Sequence, residues 1–245
     1  MKYAVLGRGK RIRSILALES YRACGGRSTR WIVPFCCGIE MIHAFSLVHD
    51  DLPCMDDDDF RRGKPSLHRR FGEATAILAA DALFARAFEL FTSGAAPADR
   101  RLAATAAIAK AIGPLGMAGG QLLDVQNAGQ GGSRSGAAVQ RLKTAEFLAA
   151  SMESGAILAG VAKRLCGKLR EGGVRLGLLF QTTDDLLDSG RPVGGRKTLP
   201  DSRRLEDVRR LAVAQAASAE RALASLGARF LVLASFPHHV LTRKE

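Results

Sequence analysis

The chain has 245 residues, 47% of them hydrophobic, and a formal net charge of +12. This length and apolar share support a large buried core and exclude wholesale disorder. Aromatic residues make up only 6%, too few for base-stacking platforms, so the positive charge points to phosphorylated ligands rather than nucleic acid.

Strand-like alternation is scarce, and the helix formers Ala and Leu recur throughout. Helices are predicted near residues 10–23, 31–50, 73–92, 99–112, 115–127, 137–165, 172–188, 202–224 and 226–242. Breaks are expected at Gly25-Gly26, from Gly94 to Pro97, at Gly113-Pro114, from Gly129 to Gly136 and from Gly190 to Gly195. These gaps are loop-sized, and no repeat is evident. A single all-α domain over residues 1–245, built as a helical bundle, is the economical expectation. The stretch Gly129 to Gly136 is expected to be a mobile loop. The Ala-rich run Leu102 to Ala118 is expected to be core or a self-association face.

No charge-free apolar run approaches the roughly 18 residues of a membrane span. The opening Met1-Lys2-Tyr3-Ala4-Val5-Leu6-Gly7-Arg8 lacks the apolar core of a signal peptide. A cytoplasmic protein is therefore expected. The five cysteines, Cys24, Cys36, Cys37, Cys54 and Cys166, are odd in number and form no CxxC. They suggest buried, reduced thiols rather than a disulfide framework or a zinc site.

Two acidic clusters stand out in this basic chain. The first runs Asp50-Asp51-Leu52-Pro53-Cys54-Met55-Asp56-Asp57-Asp58-Asp59, six carboxylates in ten residues. The second is Asp184-Asp185-Leu186-Leu187-Asp188. On a helix Asp184 and Asp188 are separated by about 6 Å of rise and about 40° of rotation, so with Asp185 they can face one cavity. Like charges at that spacing repel, and a counterion is implied. In the first cluster Pro53 forces the helix to end or kink near Asp50 and Asp51. Periodicity then leaves both Asp56 and Asp57 open as the residue that rejoins Asp50. A hard divalent cation suits an all-carboxylate set, magnesium first and manganese as its substitute. An EF-hand is excluded, because no Gly sits at the sixth position and no Glu at the twelfth.

Cations crowd next to the acids in Gly9-Lys10-Arg11-Ile12-Arg13 and Arg61-Arg62-Gly63-Lys64. Arginine forks and a lysine point charge suit phosphate oxygens. His43 lies seven residues before Asp50, two helical turns away on nearly the same face. Acid beside base suggests metal ions and phosphates meeting in one cleft.

These pieces resemble the trans-isoprenyl diphosphate synthases, or polyprenyl synthetases, which include farnesyl and geranylgeranyl diphosphate synthases. The matching segments are Gly9 to Arg13, Ile42 to Asp56, Arg61 to Pro65, Phe71-Gly72-Glu73, Ala80 to Leu83, Gly116 to Gln121, Lys143-Thr144 and Phe180 to Asp188. They run in the family's order and cover most of the chain. The resemblance implies an all-α bundle of isoprenoid synthase type around a deep central cavity. It implies about three magnesium ions bridging Asp50, Asp56 and Asp184 to an allylic diphosphate. This favours Asp56 over Asp57. Asp51, Asp185 and Asp188 would support the same network, Asp188 as a further metal ligand. Lys10, Arg13, His43 and Arg62 would bind isopentenyl diphosphate. Arg61, Lys143 and Lys197 would hold the allylic diphosphate. Thr144 and Gln181 would orient substrate and stabilise positive charge. Phe45 and Ser46, five and four residues before Asp50, would set product length, with Phe45 as a floor favouring the farnesyl product over the geranylgeranyl one. A homodimer without an integral membrane segment is the implied assembly.

Three departures from the family pattern stand out. The chain begins at the first basic motif, without the helical segment that family members carry before it. The loop from Ser189 to Pro200 is short, with Arg196 beside its one lysine, Lys197, so weaker closure over the diphosphate is expected. Ser14 stands where proline is usual. An active short-chain prenyltransferase is the leading expectation. A non-catalytic subunit regulating a partner synthase, a class I terpene cyclase and a nucleic-acid binder are the rivals, in that order.

Overall fold

Apolar residues at helical spacing build twelve α-helices in the computed structural model, which describes residues 1–7, 9–129, 136–188 and 202–243. The side chains at 127–129, 137, 188 and 202–204 lie outside that description. In chain order come α1 (Lys2–Val5), α2 (Ile12–Ala23), α3 (Thr29–Asp50), a hairpin of β1 (Phe60–Arg61) and β2 (Lys64–Pro65), and α4 (Leu67–Phe71). Then follow α5 (Glu73–Ser93), α6 (Ala98–Ile112), α7 (Met117–Gly129), α8 (Ala137–Gln140), a π-helical turn (Arg141–Ala145) and α9 (Glu146–Ala159). The chain continues through α10 (Lys163–Asp188), α11 (Ser202–Ala224), a 3-10 turn (Ala228–Phe230) and α12 (Leu231–Thr242).

Helix α9 is buried at eleven of its fourteen residues. A helix that is apolar all round belongs at the centre, and α2, α6 and α10 pack against it. One core joins Ile32, Phe35, Ile39 and Ile42 of α3 to Phe91, Ile108 and Phe147. A second joins Leu16 and Met152 to Leu169, Leu176 and Leu179 of α10 and to Leu223 and Leu233. The all-α expectation holds, and most predicted helix boundaries fall within a few residues.

The exceptions have physical causes. The predicted helix 137–165 is broken at Gly160, whose φ of 82° ends α9 with its N–H bonded to the Ala156 and Ile157 carbonyls at 3.1 and 2.9 Å. The gap predicted between 165 and 172 is instead helical, and the Gly172-Gly173 pair sits inside α10. A Cβ on Gly173 would come within 2.6 Å of the Ala149 Cα, and one on Gly177 within 2.5 Å of the Ala145 Cα. These glycines let α10 approach α9 rather than interrupt it. The hairpin is absent from the predicted elements. Its turn residues Arg62 and Gly63 both have positive φ, 54° and 74°, as a two-residue hairpin turn needs.

Two stretches reach the length and mean hydropathy of a membrane span, Thr29–Asp50 at 1.6 and Ala98–Gln126 at 1.3. The first is the core helix α3, packed between α2 and α5, and the second is interrupted by a turn between Ile112 and Met117. All five cysteines are free thiols, but the expectation of burial fails for Cys37 and Cys54, which are exposed. Burial raises the Cys24 and Cys36 thiols to about 12, which keeps them protonated and unreactive.

Candidate functional site

Helix α3 delivers Asp50 at its last residue and Asp51 at its C-cap. Past Pro53 the chain curls back, with the Asp56 N–H donating to the Asp50 carbonyl at 2.9 Å and the Asp57 N–H to the Leu52 carbonyl at 3.2 Å. Asp57 has a φ of 53° and is exposed. The fold therefore returns Asp56, not Asp57, to Asp50. Burial raises the Asp50 carboxyl to about 6; Lys143 and Arg61 oppose the rise, while Asp56 and Asp51 add to it.

Arg61 is engaged by the acids. Its Nε donates to Asp51 Oδ1 at 2.8 Å, and its Nη2 bonds both Asp51 and Asp58. Burial raises the Asp51 pKa, and the hydrogen bond from Arg61 works against that.

The π-helical turn carries Lys143 and Thr144. Such turns widen the helix by one residue and concentrate at functional sites. Lys143 Nζ donates to Asp124 Oδ2 at 2.8 Å and lies 3.8 Å from Asp56 Oδ2. Burial alone opposes the Lys143 charge, yet the Asp124 hydrogen bond and the charges of Asp50 and Asp56 raise its pKa. Thr144 Oγ1 donates to Gln181 Oε1 at 3.1 Å. Asp185 accepts from Gln181 Nε2 at 3.1 Å and from Gln140 Nε2 at 2.9 Å. Lys143 and Thr144 thus join the first acidic cluster to the second. Gly120 of α7 makes the approach possible, since a Cβ there would lie 2.4 Å from the Lys143 nitrogen.

Asp184 accepts from Arg243 Nη2 at 2.6 Å, and the Arg243 guanidinium lies 3.9 Å from the centre of the Phe180 ring. Asp188 ends α10, but its side chain lies outside the described residues, as do Lys197 and Arg196.

The basic residues gather within reach of Asp184, whose charge acts on Arg13. Arg13 sits over the Phe147 ring at 5.3 Å and approaches His43 Nε2 at 3.5 Å through Nη1. Among the described residues the buried Arg13 Nε has no hydrogen-bond partner. Burial lowers the Arg13 pKa to about 10, with Glu40 and Asp184 opposing and Arg62 adding to the fall. Burial, then Arg13 and Arg62, hold the His43 imidazole well below its ordinary range. A neutral ring accepting at Nε2 must carry its proton at Nδ1. Gly9 lies against Arg62, for a Cβ there would come 2.6 Å from its Nη1. Lys10 is exposed at the rim.

Below Asp50 opens an apolar cavity of about 640 Å³. Phe45 and Ser46 line it, as expected, with Phe84 and Phe88 of α5 and with Met117, Gln121 and Val125. Phe45 meets Phe84 at 5.0 Å between ring centres, and Phe84 meets Phe88 at 5.0 Å. Ser46 is turned to its own helix, donating to the His43 carbonyl at 3.0 Å.

Sequence reasoning missed Asp124, Gln140, Arg243, Phe84 and Phe88. Asp124 carries a signal, an acid amid Leu122, Leu123 and Val125. The others carry none, because only the fold brings them to the site. Among the described residues no three carboxylate, imidazole or thiol groups already converge as a metal site. The acids are held by Arg61, Lys143 and Arg243 instead.

Residues 1–195 match the polyprenyl synthetase family model. The chain is 44% identical over 193 residues to geranylgeranyl pyrophosphate synthase 7 of Arabidopsis thaliana, covering 77% of this chain and 55% of that protein. It is 43% identical over 205 residues to the farnesyl diphosphate synthase of Geobacillus stearothermophilus, covering 79% and 69% respectively. The geranyltransferase structure from Legionella pneumophila superposes with a TM-score of 0.84 at 32% identity, covering 99% of this chain and 85% of that one. The chain thus spans little more than half of the plant relative, and it shares the all-α isoprenoid synthase fold. On its motifs, its fold and these matches, the chain belongs to the polyprenyl synthetase family.

Proposed function

We propose that the chain is a short-chain trans-prenyltransferase that condenses isopentenyl diphosphate with an allylic diphosphate. The observation that carries this reading is the placement of Asp50 on the lining of an apolar cavity, with Asp56 and Lys143 beside it. Charge recognition sits above the cavity and space for a growing hydrocarbon lies below it.

The acidic residues fit magnesium. Every donor is a carboxylate oxygen, the set a hard cation prefers. The raised pKa of Asp50 marks a carboxylate whose charge is only partly offset by Lys143 and Arg61. Asp50, Asp56, Asp184 and Asp188 would hold the ions, in exchange for part of their present pairing with Lys143 and Arg243. Bound there, magnesium supplies positive charge to the leaving diphosphate.

The chain's own residues do the rest. Lys143, kept charged by Asp124, steadies the allylic diphosphate. Arg13, with an unused buried donor, and Arg62, Lys10 and His43 bind the second diphosphate. Thr144 and Gln181 aim oxygen dipoles at the allylic cation that forms when the C–O bond breaks. The isopentenyl double bond attacks that cation, and the proton lost afterwards goes to the released diphosphate. The apolar walls exclude water, which would otherwise capture the cation. The Phe45, Phe84 and Phe88 rings narrow the cavity, which favours the farnesyl product. A cytoplasmic homodimer is part of the same reading.

Calorimetric titration with geranyl diphosphate tests it. Binding should require magnesium and be lost in Asp184→Ala. Tight binding with chelator present would contradict the metal-bridged site.

A further inference from the structure

Glu40 is a charged residue in the core, 8% exposed, on α3 one turn before His43. Its carboxylate accepts from Arg11 Nη1 at 3.0 Å and from the Ser14 backbone N–H at 3.3 Å. The other Arg11 nitrogen, Nη2, donates to the Val5 and Gly7 carbonyls at 2.5 and 2.9 Å. The Arg11 guanidinium is therefore committed inward, to the protein itself.

The backbone shows what this accomplishes. Arg11 precedes α2 in the left-handed region, with φ 52° and ψ 30°. A non-glycine residue persists there only where its surroundings hold it. The Arg11 bonds to Glu40, Val5 and Gly7 supply that hold, and Ser14 Oγ adds a bond to the Arg11 carbonyl at 2.9 Å. The turn sends Lys10 to the rim and Arg13 into the pocket beside His43. Arg62, the other arginine at positive φ, closes over Gly9 next to the same turn. Arg62 repels both Arg11 and Arg13, and Glu40 offsets the repulsion on Arg13 and Arg62.

We infer that Glu40 is a positioning residue, clamping Arg11 so that the left-handed turn presents Lys10 and Arg13 to the isopentenyl diphosphate. This rests on the proposed reading of the Lys10 and Arg13 cluster as that substrate's site. Charge alone acts in the opposite sense. Removing a carboxylate makes the pocket more positive and tightens anion binding, whereas loosening the turn weakens it. The sign of the effect separates the two.

Two variants serve as tests. Glu40→Gln keeps the side-chain shape and an acceptor. Arg11→Lys keeps the charge but loses the fork that joins Glu40 to the Val5 and Gly7 carbonyls; it lies at a position with no assigned substrate contact, and carries the test if Glu40→Gln fails to fold. Each should raise KM for isopentenyl diphosphate about 10-fold or more. KM for the allylic diphosphate and kcat should stay within about threefold, because the Asp50 side of the site is untouched. An unchanged or lower KM for isopentenyl diphosphate would overturn the inference, as would an equal rise for both substrates. Calorimetry with isopentenyl diphosphate, which needs no turnover, separates the two levels of failure. If the parent chain does not bind it, the site reading falls and the inference with it. Binding that both variants leave unaltered would overturn the inference alone.

Discussion

At the scale of single residues, Asp50 is a carboxylate whose pKa burial raises despite the nearby Lys143 and Arg61. Its carboxyl titrates near 6 in place of 3.8, chiefly through burial. Between these values the folded chain holds a proton that the unfolded chain releases. The stability from this group is therefore present below about pH 4 and lost as pH rises past about 6. Metal-free Asp50→Asn should accordingly be more stable than the parent at pH 7, by about 2–3 kcal/mol, and close to it at pH 4. Thermal melts in chelator check this, and an unchanged or lower Tm at pH 7 would contradict it. Phe45 allows a second residue-level prediction. Phe45→Ala opens the cavity towards Phe84 and should lengthen the prenyl product, as read by mass spectrometry; an unchanged product would place the floor elsewhere. Residues of this kind were unequally legible. Asp50, Asp184 and Phe45 are readable because their chemistry is local in sequence. The pairing of Asp124 with Lys143 and of Arg243 with Asp184 is not, because the partners lie 19 and 59 residues apart. The choice of Asp56 over Asp57 depends on a left-handed turn at Asp57, which spacing does not encode.

At the scale of elements, the π-helical turn at Arg141–Ala145 is the piece on which the site depends. It points Lys143 at the first acidic cluster and Thr144 at the second helix bearing acids, α10. Gly120→Ala should disturb it directly. The added Cβ would meet the Lys143 backbone nitrogen at 2.4 Å, and backbone does not yield as a flexible side chain does. A loss of about 1–3 kcal/mol in stability and a fall in kcat of about tenfold or more are expected. Melts and initial rates check both; a silent substitution would mean that α7 can withdraw without moving Lys143. Helix periods in the sequence locate α3, α5, α6 and α11 within a residue or two. They place the break after α9 between residues 165 and 172 instead of at Gly160, because Gly160 and the Gly172-Gly173 pair look alike in sequence. One supplies a left-handed cap and the others a close helix contact, a difference that only packing decides.

At the scale of the whole molecule, several of the large exposed apolar residues lie on α5, α6 and α7 or between them. Leu78 of α5, Leu102 of α6 and Leu122 of α7 are 68%, 73% and 58% exposed, and Leu115 between α6 and α7 is 76% exposed. These residues are the proposed contact with a second copy of the chain. Light scattering should give twice the 26.1 kDa chain mass, and Leu102→Lys with Leu122→Lys should reduce it to one; a monomeric parent would contradict the homodimer. The family was legible at this scale because its motifs recur in order along the chain. Product length was not, because it depends on how α3, α5 and α7 enclose one cavity.

The most direct test of the proposed function is turnover of isopentenyl diphosphate with dimethylallyl, geranyl or farnesyl diphosphate by the parent chain and Asp50→Ala in parallel. A magnesium-dependent prenyl diphosphate is expected, of farnesyl length from the shorter primers, that disappears with chelator and in Asp50→Ala. A folded parent chain that binds these diphosphates yet makes no product from any primer would contradict it.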